Sequence, residues 1–227
     1  MTTERARGGR IVPWFIISAF AEFLIYYVLT ISIRNFDLIY YYLYFIERFI
    51  LLAIPVTAAA IIIRRATSKL DALKMSAYIA LTRLVVFIPF FYLEYVYGIY
   101  DSLEALLLSL VSSLGAVIIY AVLIFAAYML MRLIVTRRGG SEYPTRIFDL
   151  NSPATLSVLA VTLIIFVLNL AFEIYSTVLF FIENGTIYYI NEIVLMVLSY
   201  VFLAVLLIGL HALGVLALNR AVPGKKE

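Results

Sequence analysis

The sequence predicts an all-α, polytopic membrane protein, a bundle of six membrane-crossing helices, and three observations predict it. Of 227 residues, 65% are hydrophobic and 14% charged, where a soluble domain carries about 45–50% and about 25%. The mean hydropathy is +1.07. The apolar residues also gather in runs that reach the roughly 20 residues a helical span requires: Ile11–Ile33, Leu38–Ile63, Met75–Tyr100, Leu103–Val135, Ala154–Ile182 and Ile190–Leu218. Strands of a membrane barrel would alternate apolar and polar residues over about ten positions, and a run such as AVIIYAVLIF does not.

The elements follow in order. The first run has a basic flank, Arg5, Arg7 and Arg10, but exceeds a signal-peptide core and lacks a small-residue cleavage site behind it, so it is expected to stay as a helix. The second ends at Arg64-Arg65 and carries Glu47 beside Arg48. Adjacent positions diverge by about 100° around a helix, so these two cannot pair well with each other. Pro55 in the second run and Pro89 in the third are expected to kink their helices and free backbone carbonyls. The fourth run presents Ser109, Ser112, Ser113 and Ala116, a small-residue face suited to close helix approach. The sixth holds the single histidine, His211, expected to hydrogen-bond a neighbouring helix.

Charge sets the expected orientation. Fourteen of the 17 Lys and Arg residues fall in the N-terminal tail, the second and fourth connections and the C-terminal tail, and only Arg34 falls on the opposite side. The positive-inside rule then places both termini in the cytoplasm of a multi-pass cell-membrane protein. The net charge of +3 serves orientation and contact with anionic lipid headgroups, not nucleic acid. Thr136–Pro153, the longest polar stretch, is too short for a domain, so residues 1–227 are expected to form one transmembrane unit. Three hairpins can be read in it: Glu22→Arg64, Glu94→Arg137 and Glu173→Arg220 are separated by 42, 43 and 47 residues. Triplication and three unrelated hairpins under one bilayer constraint both produce that spacing.

Polar residues inside the runs form stripes, because positions three and four apart share a helix face. Ser18, Glu22, Tyr26 and Thr30 share one on the first run; Arg83, Phe87, Phe90, Glu94, Tyr97 and Asp101 on the third; Thr162, Phe166, Asn169, Glu173 and Ser176 on the fifth. An ionisable group facing lipid costs at least about 2.5–3.5 kcal/mol, so the stripes should face the bundle interior. Glu22, Glu47, Glu94 and Glu173 then outnumber their charge partners Arg48 and Arg83. Either some glutamates are protonated at neutral pH, or the interior takes up cations, since isolated buried charges are costly. Tyr26, Phe90 and Tyr97 share the acidic stripes, and their ring faces favour cations as carboxylates do.

Function classes narrow accordingly. With no cysteine and one histidine, disulfides, thiol nucleophiles, iron–sulfur clusters, attached haem and multi-histidine metal sites are excluded, and no cofactor or metal is expected. No GxSG, HExxH or GxxxxGK motif is present, so no catalytic residues are assigned and an enzyme is not expected. The absence of Cys and Gln matches a thermophile's avoidance of thermolabile residues. Two functions remain. One is a small membrane binding or transport protein for a cation, a proton or a protonatable organic solute, with Glu22, Tyr26, Glu47, Phe90, Glu94, Tyr97, Asn169 and Glu173 as its site. The other is a non-catalytic accessory subunit whose stripes bind a membrane-protein partner or a second copy of the chain.

Overall fold

A computed structural model describes residues 15–17, 19–21, 23–25, 37–96, 102–138, 146–149, 151–184 and 190–220. They are helical with short turns, and there is no strand among the described residues. The helices are α1 (Phe15–Ile25), then α2 (Asp37–Arg65), α3 (Lys69–Val96), α4 (Leu103–Arg137), α5 (Pro153–Asn184) and α6 (Ile190–Arg220). Among the described residues two stretches are long and apolar enough to cross a membrane, Leu103–Arg137 and Pro153–Ala171.

Local chemistry explains the ends. α3 begins six residues before the apolar run that starts at Met75. The Ser68 Oγ accepts from the Asp71 amide at 3.1 Å, and the Asp71 carboxylate accepts from the Thr67 amide at 2.9 Å. That reciprocal cap satisfies donors the first turn cannot pair internally, so a polar segment starts the helix early. α4 is capped by Ser102, whose Oγ accepts from the Ala105 amide at 3.2 Å. It runs on to Arg137, where basic side chains suit the negative end of the helix. α5 opens at Pro153, whose missing N–H costs nothing in a first turn.

α2 is the central element and packs against α3, α4, α5 and α6. Ala58, Ala59 and Ala60 are all buried. Three consecutive residues point in three directions about 100° apart, so neighbours surround this part of α2. Small side chains let those neighbours close in. The tightest junction lies at Gly214 on α6, where a Cβ would fall 2.6 Å from Val158 Cγ1 on α5 and 2.8 Å from Val56 Cγ1 on α2. Phe49 lies against Gly209 and Val56 against Gly214, so α2 and α6 run parallel. Of the small residues expected to permit close approach on α4, Ser112 and Ala116 are exposed, Ser113 is half-buried and the side chain of Ser109 lies outside the described residues, while a Cβ on the neighbouring Gly115 would meet nothing within 4 Å. Helices approach where glycine removes the side chain from a face already turned inward, as at Gly214.

Apolar side chains cover much of the described exterior as well as the core. The outer face of α4 shows Leu107, Leu108, Val111, Ile118, Ile119 and Val122. Buried among the apolar core residues are Ser76, Thr82, Arg83, Thr155, Ser157, Thr162 and His211. Several of the buried hydroxyls donate to a carbonyl of the preceding turn, Ser76 to Ala72 at 2.9 Å, Ser157 to Ala154 at 2.7 Å and Thr162 to Val158 at 2.8 Å. Such bonds satisfy a polar group where no water is required.

Candidate functional site

The site starts from a proline. Pro55 lies inside α2 and has no N–H, so the carbonyl four residues earlier, that of Leu51, loses its helical donor. The Tyr120 hydroxyl of α4 donates to that carbonyl at 2.7 Å. The Arg83 guanidinium of α3 lies over the Tyr120 ring, with Cζ 4.5 Å from the centroid, and Arg83 is only 7% exposed. One phenol thus ties three helices: its edge takes up the freed carbonyl of α2 and its face holds the cation of α3. A ring quadrupole attracts a guanidinium by roughly 0.5–2 kcal/mol, more as water is excluded. Arg48, half-buried on α2, lies one turn before Leu51.

On α5 the predicted stripe faces inward as far as it is described. Thr162 is buried and Phe166 and Asn169 half-buried, while Leu163, Ile164, Val167 and Leu168 are exposed. Phe166 packs on a cluster of Leu52 and Ala53 from α2 with Leu206 and Leu210 from α6. Asn169 follows one turn later on the same face. Among the described residues α2 and α4 each pack against both α3 and α5. Glu22, Tyr26 and Tyr97 lie outside the described residues, as do the side chains of Glu47, Phe90, Glu94 and Glu173.

His211 also differs from expectation in its partner. Its Nε2 lies 2.9 Å from the Ile147 carbonyl, in the turn before α5 and not on a helix. A carbonyl only accepts, so Nε2 carries the proton. Nδ1 is buried with no hydrogen-bond partner among the described residues. At the same end of the bundle the Arg64 Nε donates to the Leu218 carbonyl at 3.2 Å, one of the last α6 carbonyls with no acceptor role inside the helix. Arg132 donates to the buried Tyr128 hydroxyl at 2.7 Å.

Sequence reasoning passed over Tyr120 and the Leu51 carbonyl. The signal existed in two halves: a proline frees a carbonyl, and a lone tyrosine in an aliphatic run needs a partner for its hydroxyl. Sixty-nine residues separate them. Against family models, curated proteins and solved structures, the chain finds no match.

Proposed function

We propose that the chain is a single six-span unit of the cell membrane, N- and C-termini cytoplasmic, that binds or transports a cation, a proton or a protonatable organic solute. Its spans are those read from the sequence, arranged as three hairpins. It is not an enzyme and needs no cofactor. The observation that carries this reading is Arg83: a group that stays protonated at any physiological pH is buried in a bundle whose exposed faces are aliphatic. A guanidinium in such surroundings calls for carboxylate company. The chain supplies that in excess, with Glu22, Glu47, Glu94 and Glu173 in its spans. Acids beyond those the arginines neutralise must hold protons or exchange them for a cation. The part-buried Asn169 and the rings of Tyr26, Phe90 and Tyr97 complete the proposed lining.

The test is a thermal-shift screen of organic amines and alkali cations on detergent-purified protein between about pH 5 and 8, the range where perturbed buried carboxyls titrate. Stabilisation by an amine or a cation that grows as protons are withdrawn supports the reading. The absence of any such shift, with the protein folded and monomeric, overturns it.

The accessory-subunit reading has one observation in its favour. Ser112, Gly115 and Ala116 leave a small-residue face of α4 uncovered, and such faces dock helices. Ser112→Leu would disrupt a complex with a membrane-protein partner or a second copy, and would leave a monomeric binder unaffected.

A further inference from the structure

The turn that connects α4 to α5 has features a simple cytoplasmic loop does not need. Ile147 packs into the main buried cluster and its carbonyl receives His211. His211 precedes Arg220, the last residue of α6, by nine residues, a helical rise of about 13 Å. The contact of Gly214 with Val158 sets the height of His211 on α5. Five residues separate α5 from α6, so the two run antiparallel and His211 lies level with Val161, eight residues into α5. Ile147 therefore reaches back along the bundle to the third turn of α5, although it precedes that helix in sequence. The burial of α5 agrees. From Pro153 to Thr162 no residue is exposed, and exposure starts at Leu163 and Ile164.

We infer that Arg146–Asp149 is an interfacial strap whose partner is the bilayer itself, at the boundary of acyl chains and headgroups, with Phe148 among the chains and Arg146 toward lipid phosphates. Phe148 is 66% exposed although its ring lies 5.8 Å from that of buried His211. A large ring fixed in place yet turned outward, level with the aliphatic exterior of α5, fits lipid and not water. Three of the strap's acceptors are also paired within the protein, as suits a segment at that depth. The Ser152 amide donates to the Asp149 carbonyl at 3.1 Å, the Asn151 amide to the Asp149 carboxylate at 3.3 Å, and the Ile147 carbonyl accepts from His211.

This inference rests on the membrane reading above, and the test separates the two. Trp14 is the chain's single tryptophan, so Trp14→Phe provides a dark background. Phe148→Trp and, as a control, Val122→Trp on the exposed face of α4 are each reconstituted into vesicles of lipids brominated near the headgroup or near the chain end. The strap predicts a larger loss of Phe148→Trp emission with shallow bromines than with deep ones, and little loss with aqueous iodide. Iodide quenching without bromolipid quenching at position 148, with the Val122→Trp control quenched by bromolipid, overturns the strap and leaves the membrane reading standing. Failure of bromolipid to quench either protein overturns both.

Discussion

The Tyr120 hydroxyl donates to the Leu51 carbonyl at 2.7 Å, and that carbonyl is the acceptor deprived of its helical donor by Pro55. The missing hydrogen bond in α2 and the tyrosine of α4 are thus complementary, and Arg83 is seated on the same ring at 4.5 Å.

A double-mutant cycle measures this complementarity. Tyr120→Phe keeps the ring under Arg83 and strands the Leu51 carbonyl, at a cost of about 1–3 kcal/mol. Pro55→Ala supplies the missing N–H from within α2. In the Pro55→Ala background, Tyr120→Phe should therefore cost markedly less, read as thermal unfolding in detergent. Equal costs in both backgrounds would refute the link.

Arginine position should decide the effect of losing arginine. Arg83→Ala removes a buried cation from the Tyr120 face and leaves a void, so a loss of about 2 kcal/mol or more is expected. Arg138→Ala, at an exposed helix end, should stay within about 0.5 kcal/mol. Matching melting temperatures for the two variants would show that Arg83 reaches water.

Two glycines should respond with opposite sign to the same methyl group. Gly214→Ala drives a Cβ to 2.6 Å from Val158 Cγ1, an overpacking cost of roughly 1–3 kcal/mol. Gly115→Ala enters open space in mid-helix and should stabilise by about 0.5–1 kcal/mol. Denaturation of both variants in one detergent makes the comparison; a tolerated Gly214→Ala would mean the α2–α5–α6 junction is looser than described.

The glutamates carry the functional proposal. Glu22→Gln and Glu94→Gln each keep size and hydrogen bonding but remove the titrating proton. Ligand-induced stabilisation should lose its pH dependence in both, while the helical circular-dichroism signal stays that of the parent. Unaltered pH dependence in both variants would count against proton- or cation-linked binding.

How much of this was legible in the chain depends on the range of the interaction. Helix character was, because hydropathy over about 20 residues is a local property and needs no partner. The inward turn of Thr162, Phe166 and Asn169 was legible too, because periodicity places them on one face. The early start of α3 was missed although the Ser68–Asp71 cap is local, since attention to apolar runs hides a polar first turn. The fate of the serine face on α4 could not be read, because small residues suit contact without requiring it.

Composition and spacing by themselves settled that the chain is helical and that the Thr162 stripe of α5 turns inward. Those follow from the cost of leaving a polar group in apolar surroundings, which every residue meets alone. Only the tertiary structure decided that α2 is central, that α2 and α4 each pack against both α3 and α5, and that Tyr120 answers the Leu51 carbonyl across 69 residues. A freed carbonyl or a lone histidine states only that some partner is required. Which hydroxyl or turn supplies it depends on where packed helices bring distant segments within the roughly 3 Å reach of a hydrogen bond.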